Sequence, residues 1–197
     1  MRKSIFKIFL LLFVFSTQLY SQSSPYEISL PYSCGFEDSL ENQKWVINAG
    51  SEGPLCTDQW MIGNLDYVEG YNSLYISCDT GKTMTYGAKA NYVMAYRPIV
   101  IPKPDSVTTE RCRVNVSFEW KGGSARDVSV LNYYVVPDYA IKDYLNSNSK
   151  KSALPSVLKN PKKKLYGSSS WQEYSSAEGI TYDNTFYLVF IWQNSNG

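Results

Sequence analysis

The sequence contains no histidine. That absence removes Ser-His-Asp and Cys-His catalytic sets, His-ligated zinc and an imidazole pH switch. Charge is sparse as well, at 19% of 197 residues, and neither sign dominates. A chain with no basic excess is a poor nucleic-acid binder. No apolar run reaches the ~20 residues that a spanning helix needs. The four cysteines lie 22, 22 and 34 residues apart, too widely for the close pairs of a zinc site. What is abundant is aromatic: 15% of the chain, including 17 Tyr. That balance excludes a disordered protein and suits a β-rich globular one. The length allows one domain, or one plus a tail.

Arg2, Lys3 and Lys7 precede an apolar stretch from Ile8 to Phe15, then small and polar residues. This is the layout of a cleaved secretory signal peptide over residues 1–21, followed by a linker over 22–29. The mature chain is expected to be secreted, periplasmic or at the cell surface. Its loss of three cations and no acids turns a net charge of +1 into −2. Export also places the cysteines where disulfides persist.

The remainder reads as strands. Tyr32–Glu37 and Leu74–Asp79 alternate, and Cys112–Lys121 alternates most clearly, with Cys112, Val114, Val116, Phe118 and Trp120 on one face. Residues 128–136 and 186–192 are apolar throughout, as in strands covered on both faces; a buried helix is the competing reading. Gly, Asn, Ser and Pro clusters at 48–54, 79–81, 122–124, 146–161 and 167–170 mark turns. Only Tyr139–Leu145 offers a helical turn. The expected fold is all-β, a two-sheet antiparallel β-sandwich. Residues 142–164 carry seven lysines and one acid. They read as a solvated insertion, or as a basic finger for anionic polymers.

The order of motifs resembles a family of jelly-roll modules, the MAM-like, choice-of-anchor J and cleaved-adhesin domains of Bacteroidetes surface proteins. The resemblance is carried by PYSCGFED at 31–38, DQWMIG at 58–63, SLYIS at 73–77 and AYRPIVIP at 95–102. It continues through VNVSFEWKG at 114–122, YYVVP at 133–137, SWQE at 170–173 and YLVFIWQN at 187–194. It implies a jelly roll over residues 30–197 and non-catalytic adhesion or recognition at the cell surface. It also implies one more strand beyond the final Phe-x-Trp segment. The sequence stops at Gly197 in the loop before it, so the sandwich is expected to lack its last strand.

Four cysteines allow three pairings, or free buried thiols. By likeness to MAM domains the implied pairs are Cys34–Cys56 and Cys78–Cys112, each worth about 3 kcal/mol. The resemblance also makes Glu37 and Asp38 candidate ligands for calcium, a hard cation that takes oxygen donors. The alternative is that both cap a turn. Without histidine the surviving enzyme chemistry is carboxylate-based, with Glu37 and Glu119 as the acids to consider, and no motif supports it. Tyr67, Tyr71, Tyr139 and Tyr144 lie in polar stretches and are the candidate platforms for stacking on sugars. The resulting expectation is a non-enzymatic adhesion or recognition module with glycan or protein partners. The runner-up is a carbohydrate-binding module of a secreted glycan-degrading enzyme.

Overall fold

The computed structural model describes residues 24–49, 58–88, 90–122, 129–147 and 154–195. The signal-peptide expectation for residues 1–21 lies outside these, as does Cys56. The fold is all-β. Five strands form one antiparallel sheet: β1 (Val46–Ala49), β4 (Asn91–Ile99), β9 (Phe186–Asn194), β6 (Ser129–Pro137) and β7 (Lys163–Leu165), in that spatial order. Two antiparallel ribbons lie on one face of it. One pairs β2 (Gln59–Gly63) with β3 (Ser73–Ser77). The other pairs β5 (Arg111–Gly122) with β8 (Ser168–Thr181). The second layer of the sandwich is thus two separate ribbons rather than one sheet.

Register explains the layering. On β4 and β9 the ladder places Val93 opposite Trp192, Ala95 opposite Phe190, Arg97 opposite Leu188 and Ile99 opposite Phe186. These side chains share one face, as period-two alternation requires. The β2–β3 ribbon buries Trp60, Leu74 and Ile76 against Val93, Ala95, Phe190 and Trp192. The β5–β8 ribbon sets Cys112, Val114 and Ile180 against Ile99 and Phe186. Phe118 of β5 stacks on Tyr133 and Phe190, with ring centroids 5.1 Å from each. The opposite face of the sheet presents Tyr92, Met94, Tyr134, Val136, Val189 and Ile191. It is covered by helix α2 (Asp138–Asn146), through Ile141, and by a 3-10 turn (Ser156–Leu158), through Leu158. Central strands covered on both sides must be apolar throughout, which is why β6 and β9 are.

Two expectations are corrected. Tyr32–Glu37 is not a strand: Phe36 takes a left-handed φ of 62°, which ends any pleat. Residues 142–164 are more than a solvated insertion. They contribute the end of α2, the 3-10 turn and the start of β7, and Leu158 is buried. The lysines at 162–164 instead lie at a sheet edge, where charge discourages unwanted pairing. The jelly-roll connectivity and the missing strand remain expectations.

The segment before β1 crosses the face between the two ribbons. Helix α1 (Ser39–Asn42) is capped by Asp38, whose Oδ1 accepts from the Leu40 N–H at 2.8 Å. Trp45 continues onto Phe36, with centroids 5.4 Å apart, and onto Phe190, at 6.1 Å. Beneath it lies Arg97, with no solvent exposure. Its Nε donates to Glu41 Oε1 at 2.8 Å and its Nη1 to the Pro98 carbonyl. Tyr32 donates its hydroxyl to the same Glu41 oxygen, and its ring lies under the guanidinium. Burial alone would raise the Glu41 pKa, but hydrogen bonds from Arg97, Tyr32 and Lys44 outweigh it and hold the carboxyl below its ordinary range.

Removing one partner of a buried pair strands the other charge. Glu41→Ala is therefore expected to cost about 3 kcal/mol in urea unfolding. Lys44→Ala, which breaks only the exposed 3.2 Å contact to Glu41, should cost about 0.5 kcal/mol or less. Equal effects of the two would show that the Arg97 pair does not hold α1 in place.

Candidate functional site: an aromatic loop beside a shallow cleft

The loop over residues 64–72 joins β2 to β3, whose ladder closes with Gly63 opposite Ser73. Four anchors fix it. Ser73 Oγ donates to the Asp66 carbonyl at 2.5 Å. The Asp66 carboxylate reaches the other ribbon, accepting from Lys121 Nζ of β5 at 2.6 Å and from Trp171 Nε1 of β8 at 3.2 Å. The Lys121 hydrogen bond above all, with Trp171 assisting, lowers the Asp66 pKa. From the α1 side, Glu37 Oε1 accepts the Tyr71 N–H at 2.6 Å and the Asn72 N–H at 2.8 Å. Its Oε2 accepts Asn72 Nδ2 at 2.8 Å.

Gly70 makes that approach feasible. It adopts φ +77°, and a Cβ built there would lie 2.5 Å from Glu37 Oε1. Only glycine fits both the conformation and the space.

Held this way, the loop presents Tyr67 and Tyr71 side by side. Their ring centroids are 6.2 Å apart at an interplanar angle of 57°. Tyr71 is 72% exposed and Tyr67 42%, with Leu65 and Val68 exposed on the same loop. Beside it lies a shallow cleft of about 240 Å³, lined by residues 32–38 and Glu41. Glu37 belongs to both: it lines the cleft and clamps the loop.

The four candidate tyrosines therefore separate. Tyr67 and Tyr71 come together. Tyr139 is 81% exposed, but on α2, which covers the other face of the main sheet. Tyr144 packs into the core beneath α2, its hydroxyl 3.4 Å from that of Tyr92, and offers no platform. Asp66, Gly70, Lys121 and Trp171 are essential to the site and are not evident from sequence. Their partners lie as far as 105 residues away, and only Gly70, inside a polar run, carries a local signal.

Glu37 spends both oxygens on backbone donors and the Asn72 amide, and Asp38 Oδ1 accepts the Leu40 N–H, as the turn-capping alternative has it. Among the described residues no three His, Cys, Asp or Glu side chains gather to hold a metal ion. Glu119 lies on the exposed outer side of β5, directly opposite Glu173 of β8, and has none of Glu37's partners. Cys78 and Cys112 are free thiols, so the Cys78–Cys112 bridge is not formed. Cys78 Sγ instead lies 3.4 Å from Thr85 Oγ1, and Cys112 packs under the β5–β8 ribbon. The Cys34–Cys56 pairing involves a residue outside the described ones. No helix among the described residues is long and apolar enough to cross a membrane.

The Glu37 pKa is lowered, chiefly by the Tyr71 N–H. A carboxyl lowered on folding contributes stability above its unfolded pKa, ordinarily 4.5 here, and loses it as pH falls through the folded value. Amide exchange at Tyr71 and Asn72 is thus expected to be slow near neutral pH, after correction for intrinsic rates, and to gain protection-loss on acidification. Glu37→Ala and Gly70→Ala should each abolish that protection at neutral pH while leaving β4 and β9 protected. Unchanged protection in both variants would refute the clamp. No protein-family model matches this chain, and no curated protein matches it.

Proposed function

We propose that this chain is a non-catalytic extracellular recognition module of jelly-roll type, which takes glycans at the Tyr67–Tyr71 surface. The observation that carries the reading is the exposed pair of tyrosines on a loop clamped from both sides. Tyrosine rings bury the C–H faces of sugars while their hydroxyls remain in water. With few rotatable bonds they lose little entropy on binding. Clamping the loop removes a further ordering cost that a free loop would incur.

The acids support recognition over catalysis. A glycosidase acid needs a raised pKa so that it can hold a proton near neutrality. The described carboxyls whose pKa is displaced, Glu37, Glu41, Asp66 and Asp79, all move down. They stay ionised and hold backbone N–H groups or side chains in place. The basic start and short apolar run at the N-terminus support export, and so a partner met outside the cell.

The runner-up reading is a carbohydrate-binding module attached to a glycan-degrading enzyme. It uses the same surface and differs in the company the module keeps. A glycan array followed by calorimetry tests both. Tyr71→Ala and Tyr67→Ala are expected to weaken the best glycan by tenfold or more, with unfolding midpoints unchanged. Tyr139→Ala, on the other face, should leave affinity intact. Binding to intact polysaccharide favours the runner-up. Binding to proteins or cells alone, with no glycan bound, would overturn the glycan assignment and leave a protein-binding adhesin.

A further inference from the structure

Exposed sheet edges are pairing hazards, and most edges of this fold are defended against it. β7 is three residues long and carries Lys163 and Lys164. β1 is four residues long, bulges against β4 and contains Asn48 at φ 64°. β2 and β3 are five residues each. β5 carries Arg111, Arg113, Glu119 and Lys121 on its outer side, and Lys121 is tied to the loop through Asp66.

β8 is different. At 14 residues it is the longest strand, and its only partner among the described residues is β5. From Gln172 to Thr181 the pairing with β5 is regular, so the opposite edge is regular too. That stretch contains no proline and no lysine. Its outward side chains are Glu173, Ser175, Ala177, Gly179 and Thr181, small except for the first. A Cβ at Gly179 would meet nothing within 4 Å. Glu178, the other charge, points inward and pairs with Lys162 Nζ at 3.1 Å.

We infer that this edge pairs with the same edge of a second copy, antiparallel about a two-fold axis. A two-fold contact must be self-complementary. An axis perpendicular to the ribbon keeps side chains on their own face, so opposed residues differ by an even number. For axes at Tyr174, Ser175 or Ser176, Glu173 lies opposite Ser175, Ala177 or Gly179 respectively. In none of these registers does Glu173 meet its own copy, so the one outward charge does not oppose pairing. The edges of β5 and β7 cannot do this equally well, since each sets several charges at the contact. The product is a four-stranded outer layer shared by two molecules, joined mainly by backbone hydrogen bonds. Such a contact buries little area and forms a weak, concentration-dependent dimer.

Sedimentation velocity on the full chain from about 1 μM to about 1 mM spans the range of weak pairing. The expected result is a shift from monomer to dimer as concentration rises. Ser175→Lys combined with Ala177→Lys places four lysines at the two-fold contact and should weaken the dimer at least tenfold, with the circular dichroism spectrum retained. A second readout does not depend on a variant that folds. In the wild type, amide exchange over residues 172–178 should slow at high chain concentration relative to low. A chain that stays monomeric throughout overturns the inference. So does a dimer that survives both lysines, or one that leaves exchange over 172–178 unchanged.

Discussion

Arg97 is a charged side chain in the middle of an apolar sheet face, and its desolvation must be offset before anything else can pack there. Glu41 and Tyr32 do most of this, with the Pro98 carbonyl taking Nη1. Nη2 has no partner among the described residues. The requirement fixes the rest of the site in sequence. Glu41 belongs to α1, so pairing it with Arg97 sets where α1 lies. The N-cap Asp38 directly precedes α1, and Glu37 precedes that. A helix seated on Arg97 therefore delivers the Glu37 carboxylate to the backbone of residues 71 and 72. The tyrosines stand where they do because a guanidinium some 26 residues further along the chain needs a counterion.

The second constraint is the division of the outer layer. The ribbons share no ladder, so side chains must join them. Asp66 does this at the loop, with one oxygen on β5 and the other on β8. Trp45 and Phe36 fill the space between the ribbons over Phe190. The site sits at that junction, where the layer is discontinuous and a shallow cleft remains open. A continuous sheet would have closed the cleft and left the loop without this bridge between ribbons.

Local patterns made much of the fold legible. β5 alternates over its whole length because one face packs on Tyr133 and Phe190 and the other meets water. β6 and β9 are apolar throughout because both their faces are covered. β8 was hidden by its composition: SSSWQEYSSAEG holds only two aromatics, Trp171 and Tyr174, and no β-branched residue. It becomes a strand because β5 supplies a ladder partner for it, residue by residue. The segment at 32–37 shows the reverse error. Its alternation is real, yet Phe36 leaves the β region and the segment makes no ladder. Tyr71 and Tyr144 look alike in sequence, each in a polar stretch. What separates them is a partner 52 residues from Tyr144, beneath α2.

The same reasoning explains how several acids of this fold organise it. Asp79 is the extreme case. Its carboxylate gathers the Ser77 and Thr83 hydroxyls and the N–H groups of Lys82 and Thr83, and its pKa falls to about 2. Glu37 does the same for residues 71 and 72, and Asp66 for the ribbons. Each replaces a ladder or a turn that the sequence leaves incomplete, using a charge that stays ionised at any physiological pH. A loop fastened by such anions is held in one arrangement. That is what the proposed stacking platform needs, because a ring that must first be ordered gives up part of its contact energy to that ordering.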